Sequence, residues 1–215
     1  MTSTVAHLFT DRRHGDLAVA GEPAALAARR AHIAAGPWTW LRLVHGSRVV
    51  AVTRPGEHAG READGAVTTE PGAPLAVQTA DCAPVLLVAD GGVGVAHAGW
   101  RGLFDGVIEA TAEALAAQGV TPHTAILGPC IRARCYEFGA DELDRMSMRF
   151  GSDVATTTAW GTPALDLAAA VASACRTVGL RVDDTGTCTA CSSTHWSHRA
   201  RGEPQRQALV AWLEP

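Results

Sequence analysis

At 215 residues, with 47% hydrophobic and 19% charged residues, the chain has the composition of a globular protein that buries a core without staples. A formal charge of -4 leaves no electrostatic footprint for nucleic acid, and no apolar run reaches the length of a membrane span. All 18 basic residues are Arg, and without Lys a Walker-type phosphate loop and a Schiff-base lysine are both excluded.

Residues 1–7 carry no charged stretch followed by a long apolar run, so no secretory signal is expected. Six cysteines in a chain of this size are not a disulfide scaffold. The expected setting is a reducing cytoplasm with thiols free or bound to metal, and the expected assembly is a monomer or small homo-oligomer.

Residues 7–10 read as a first strand, followed by a polar turn over residues 11–16. The Ala-rich run over residues 22–35 reads as a helix ended by Gly36-Pro37. Residues 38–46 alternate apolar and polar side chains and predict a strand ending at His45, with a second strand over 47–53. A polar loop follows over 54–62, and residues 63–68 return towards the sheet. The spacing over 103–118 predicts one amphipathic helix with Gly119 after its end. Beyond it come a buried strand over 124–127, helices over 141–150 and 165–178, a polar strand-like stretch over 184–193 and a last strand over 207–213. No repeat or linker interrupts this pattern, so one mixed α/β domain over residues 1–215 is expected.

The stretch that organises the chain runs from Val77 to Gly102. Two apolar runs, Val85-Leu86-Leu87-Val88-Ala89 and Val93-Gly94-Val95-Ala96, flank the turn signal Asp90-Gly91-Gly92 and predict a β-hairpin. Pairing about that turn sets His97 opposite Pro84 or Val85, a few residues from Cys82. A thiol and an imidazole brought together this way make either a metal site or a cysteine–histidine catalytic pair. A catalytic zinc takes three protein ligands, and His45 is the best third candidate, although spacing alone supports it weakly. Asp81, beside Cys82, reads equally as a partner to the site or as a turn former. Gly99-Trp100-Arg101-Gly102 leads into the predicted helix, where free backbone N–H groups and the Arg101 fork suit phosphate or carboxylate. Cys188-Thr189-Ala190-Cys191 has the wrong spacing for a zinc finger and the wrong context for a redox pair, and Cys130, Cys135 and Cys175 read as packed thiols.

Several of these segments together resemble the YfiH family. They are Leu43-Val44-His45-Gly46, Ala63-Asp64-Gly65, Thr79-Ala80-Asp81-Cys82, Ala96-His97-Ala98-Gly99-Trp100-Arg101-Gly102, Gly128-Pro129-Cys130-Ile131, Cys135-Tyr136-Glu137 and Ser197-His198-Arg199. That family was first described as polyphenol-oxidase "laccase domain" proteins and is now described as purine nucleoside phosphorylases. The resemblance implies a three-layer α/β/α fold with a mixed sheet, similar to toxin cysteine deamidases. It implies a catalytic zinc on His45, Cys82 and His97, and purine nucleosides and phosphate as substrates. The expected activities are phosphorolysis of adenosine, inosine, guanosine and methylthioadenosine, together with adenosine deamination. Arg101, Gly99 and Arg12 are then the expected phosphate contacts, with Asp81 a catalytic partner. The chain departs from the family pattern after Gly15, at Leu43 and at Gln205-Arg206-Gln207, so the nucleoside pocket rather than the metal site is where it differs. Copper-dependent phenol oxidation, a cysteine hydrolase built on Cys82 and His97, and a non-catalytic nucleotide-binding relative are the alternatives.

Overall fold

In the computed structural model, which describes residues 4–214, helices enclose two stacked β-sheets. Met1, Thr2 and Ser3, part of the segment read for a signal sequence, lie outside the described residues, as does Pro215. The strands are β1 (Val5–Phe9), β2 (Thr39–Trp40), β3 (Val49–Val52), β4 (Gly65–Thr68), β5 (Leu75–Thr79), β6 (Ala83–Ala89), β7 (Gly92–Ala98), β8 (Pro122–Leu127), β9 (Ala155–Thr157), β10 (Pro163–Leu165), β11 (Arg181–Asp184) and β12 (Gln207–Leu213). The helices are α1 (Pro23–Ile33), α2 (Trp100–Phe104), α3 (Val107–Ala117), α4 (Ala140–Phe150), α5 (Leu167–Thr177) and α6 (His198–Arg201).

One mixed sheet runs β11-β8-β6-β7-β4-β3 and a second runs β1-β12-β5-β2, with β9 and β10 forming a separate pair. The predicted hairpin is the centre of the larger sheet. β7 is buried along its whole length and β6 everywhere but at half-buried Val88, because helices cover one face and the second sheet covers the other. Alternation then divides the apolar run: Val85 and Leu87 enter the core shared with α3 and α5, while Leu86 enters the core between the sheets with Val77 and Leu209. On the outer side of the second sheet α1 buries Leu26 against Ala76, Ala208 and Val210. The expected α/β/α order therefore holds, with its middle layer doubled into two sheets.

Local chemistry accounts for the element ends. The Glu22 carboxylate accepts the N–H groups of Ala24 and Ala25 at the start of α1, with Pro23 at the first helical position. Asp166 accepts the Ala169 N–H at the start of α5. The helix expected over residues 103–118 is two helices. Gly106 adopts φ +88°, a left-handed conformation open to glycine, and α2 therefore begins earlier, directly after Gly99.

Two expected strands are also shorter. Of residues 38–46 only Thr39–Trp40 form a strand, with Arg42 in an isolated bridge to Glu62, and of 184–193 the strand keeps only its first residue, Asp184. In both places the backbone is taken by other partners. The N–H groups of Val44, His45 and Gly46 bond to the Asp64 carboxylate, and residues 187–189 bridge to Cys130. Gly128, where the two sheets meet, has no room for a side chain: a Cβ would stand 2.2 Å from the Phe9 ring and 2.9 Å from Pro84. Gly128→Ala is expected to cost about 1–3 kcal/mol through overpacking, lowering the midpoint of thermal unfolding by roughly 2–12 °C. A calorimetric scan unchanged by the substitution would contradict this packing.

Candidate metal centre

The β6–β7 register pairs Pro84 with His97, as the turn predicted, and so sets Cys82 and His97 at the same end of the hairpin. His45 joins them from the loop after β2. One ligand atom from each of His45, Cys82 and His97 lies within 4.8 Å of the others. The two imidazole rings meet edge to face with centroids 4.9 Å apart. One soft sulfur and two nitrogens at this separation could hold a transition-metal ion, whose bonds to such donors are about 2.0–2.3 Å long. Gly99 closes the group from below, where a Cβ would stand 3.1 Å from the Cys82 sulfur and 3.2 Å from the His45 ring.

Asp64 organises the three. It is fully buried, and its carboxylate accepts backbone N–H groups from Val44 (3.2 Å), His45 (2.9 Å) and Gly46 (2.8 Å). The same carboxylate pairs with Nδ1 of His97 at 2.9 Å. It thereby fixes the His45 loop, in which His45 is held at φ +58°, and leaves Nε2 of His97 to point at the site. Burial pushes the Asp64 carboxyl up, but the His97 ring and the Gly46 and His45 amides prevail and hold it below the ordinary carboxylate range. Sequence reading assigned Asp64 no role. The available signal was an Asp amid small apolar residues, a type that stays buried only when paired.

Asp81 faces away from the group. At φ +96° it turns the chain so that Cys82 points inwards. Its own carboxylate accepts the Thr189 hydroxyl at 2.6 Å and the Arg199 N–H at 2.7 Å. The structure thus makes Asp81 an anchor for residues 189–199. Arg12 spends its charge on Glu203 and the His195 carbonyl, with its guanidinium 5.4 Å from the Trp196 ring centroid. Arg101 is exposed and lies over its neighbour Trp100 at 4.5 Å. Neither lines the cavity above the group. That cavity, of about 550 Å³, is walled by Leu43, Gln78, Thr79, His198, Arg42 and Arg206 around His45, Cys82 and His97. The Thr79 hydroxyl is buried and has no hydrogen-bond partner among the described residues.

Without metal, Cys82 and His97 form an ion pair. Burial opposes charge on both. The His97 imidazolium and a hydrogen bond from His45 nevertheless bring the Cys82 thiol down to about 6. Against the same burial, the Cys82 thiolate and the Asp64 carboxylate bring His97 up to about 9. Between these values Cys82 has already lost its proton and His97 still carries one, which an incoming metal ion must displace. Metal affinity is therefore expected to rise about tenfold per pH unit between these values and to level off above them. A chelator-competition titration across that range checks it, and a flat profile would contradict the ion pair.

Comparison with known proteins places this geometry in context. The family model for multi-copper polyphenol oxidoreductase laccase matches residues 10–214. Purine nucleoside phosphorylase Rv2149c of Mycobacterium tuberculosis is 38% identical over 208 residues, spanning 91% of this chain and 82% of that protein. The crystal structure of Neisseria meningitidis NMB0706 superposes with a TM-score of 0.84 at 28% identity, covering 100% of this chain and 99% of that one. The Bacillus licheniformis protein YfiH shares the fold, with a TM-score of 0.84 at 23% identity over 98% and 93% of the two chains.

Proposed function

The chain belongs to the YfiH family of multi-copper polyphenol oxidoreductase laccase proteins, and from that membership we propose that it is a zinc-dependent purine nucleoside phosphorylase with adenosine deaminase activity. The observation that carries the reading is the convergence of His45, Cys82 and His97 on the floor of a cavity of about 550 Å³, the size of a small-ligand pocket. The donor set and the Asp64 hydrogen bond to His97 fit zinc, which when bound supplies a Lewis acid with one open coordination position.

The cavity walls supply the rest. Leu43 offers an apolar surface to a purine face, and Gln78 and Thr79 offer hydrogen bonds to its edge or to the ribose hydroxyls. Arg42, paired only at 3.6 Å with Glu62, and Arg206 bring positive charge to the rim. We assign them the phosphate-orienting role, since the Arg12 guanidinium is engaged by Glu203 and Arg101 stacks on Trp100. To His198, at the start of α6 and in the cavity wall, we assign the role of passing a proton to or from the purine. Catalysis then rests on holding phosphate against the ribose carbon and on stabilising charge by position. The fold is taken as one catalytic domain, and six thiols without a disulfide among the described residues fit a reducing cytoplasm. No described helix is long and apolar enough to cross a membrane.

The test is direct. Zinc-loaded protein with phosphate is expected to convert inosine to hypoxanthine and ribose 1-phosphate, and adenosine to inosine. No turnover of either nucleoside refutes the proposal. Copper would also accept one thiolate and two imidazoles. Oxygen consumption with a phenol by copper-loaded protein, and none of the phosphorolysis, would favour that reading instead. The unpartnered Thr79 hydroxyl yields a narrower expectation. Thr79→Val should raise KM for nucleoside about 5–30-fold, the worth of one or two kcal/mol of hydrogen bonding, with metal content unchanged. An unaltered KM would remove Thr79 from the substrate site.

A further inference from the structure

A second group of ligating atoms lies outside the cavity. Sequence reading took Cys135 as a packed thiol and set aside Cys188 and Cys191, but the fold brings the three together, with one sulfur from each within 4.8 Å of the others. The Cys135 and Cys191 sulfurs are 3.2 Å apart. Cys135 comes from the turn after β8, and Cys188 and Cys191 come from the segment between β11 and α6. Backbone amides of Arg132, Cys191 and Ala190 are directed at the Cys188 sulfur. Amides two and three residues ahead of a cysteine, turned onto its sulfur, are the arrangement that stabilises a thiolate in a two-residue chelate loop. The other two thiols, Cys130 and Cys175, stand outside this group, although the Cys130 backbone bridges to Cys188.

We propose that Cys135, Cys188 and Cys191 form a second metal site, for a soft divalent cation of the zinc class. Three thiolates exclude hard cations such as magnesium and calcium, which take oxygen. Sulfurs bonded to one tetrahedral zinc at about 2.3 Å stand about 3.8 Å from each other, a separation this cluster reaches by small side-chain rotations. Binding releases the protons of those cysteines still in thiol form. A water completes the shell from the groove alongside, of about 600 Å³, which Cys135 lines with Glu137, Phe138, Trp160 and Arg199.

The position of the site indicates its use. Thr189 lies between the two chelating cysteines and donates its hydroxyl to Asp81, the residue that turns Cys82 into the first centre. Arg199, ten residues on, gives its backbone N–H to the other Asp81 oxygen. The segment is otherwise tied down by Cys130, through the Cys130–Thr187 and Thr189–Cys130 backbone bonds, and by Arg201 on the carbonyls of Thr189, Ala190 and His195. A cation on the three thiolates fixes Thr189, and through it Asp81, without touching substrate. The cluster is a positioning site for the loop that carries Cys82.

The experiment uses the full chain, produced with zinc and purified anaerobically under reducing conditions. Metal analysis is expected to give about two zinc ions per chain, one for each group. His45→Ala is expected to keep one, in a sulfur-rich shell seen by zinc-edge X-ray absorption. Cys191→Ser, at the exposed cysteine, should lose the sulfur-rich signal, keep the nitrogen-rich one, and speed amide exchange at residues 187–199 at least tenfold. One zinc in the parent chain, unaffected by Cys191→Ser, overturns the proposal. So does mass mapping that finds Cys135 and Cys191 joined as a disulfide in the metal-free protein. Because His45→Ala removes the first centre alone, failure of the nucleoside reading leaves this result intact, and the reverse also holds.

Discussion

Cys82→Ser is expected to strip the first centre of its metal and to lower kcat/KM for inosine phosphorolysis by more than about 100-fold, since loss of a residue that merely orients a ligand already costs about 10–100-fold. Serine offers a hard, neutral hydroxyl in place of a charged soft donor. The substitution is nearly isosteric, so the fold should persist, and circular dichroism can confirm it. It also separates two chemistries that the geometry brings close. The ion pair between a Cys82 thiolate and a His97 imidazolium, with the thiol at about 6 and the imidazole at about 9, is what a cysteine hydrolase uses for nucleophilic attack. If Cys82 is a ligand, metal and activity vanish together in Cys82→Ser and chelation silences the parent. If it is a nucleophile, the parent stays active after chelation and the variant loses turnover whatever its metal content. Metal content measured beside turnover in parent and variant decides between them.

Asp64→Asn should be nearly as damaging, although Asp64 touches neither substrate nor metal. Four groups converge on its two oxygens: three successive backbone amides and the His97 ring. An amide in its place turns an NH₂ donor towards N–H donors in a site with no exposure to water. Breaking such a buried charged network costs about 3–5 kcal/mol, which for a chain of this length lowers the unfolding midpoint by roughly 6–20 °C. Metal affinity should fall about 10–100-fold in addition, because His97 loses the partner that fixes its tautomer and His45 loses its loop. Acid behaviour follows with the same sign. The Asp64 carboxyl is depressed in the folded state, so its stabilisation is present above its ordinary value of 3.8 and is lost as pH falls through the lower folded value. Calorimetry and a zinc titration on one preparation test both effects. A variant of parental stability and affinity would show that the carboxylate is not the organiser.

Local pattern reached far into this protein. The Asp90-Gly91-Gly92 turn fixes the β6–β7 register, because a tight turn leaves one pairing that buries both apolar runs. That alone places His97 across from Pro84 and near Cys82, and the family motifs then add His45. Helices α1, α4 and α5 were legible for the same reason, their apolar spacing and end residues being encoded within one element. The break at Gly106 was the local miss, since the apolar phase continues across it while the backbone does not.

What sequence could not supply are the partners contributed by distant segments. Asp64 bonds to residues 44–46 and to His97, across separations of 18 to 33 positions, and no period or spacing reports that. The loop bearing His45 is not a strand, because its amides find that carboxylate before they find a neighbouring strand. Asp81 becomes an anchor only when Thr189 and Arg199 arrive from more than a hundred residues away. Cys135 meets Cys191 in the same manner. The sequence by itself determined the central hairpin, most of the other elements and the candidate ligand types of one centre. Tertiary structure decided which buried carboxylate holds that centre, which arginines face its cavity, and that a second cluster of thiols exists. The physical reason is that each of these depends on a buried polar group finding its complement, and that choice is made only when the two sheets and their loops close together.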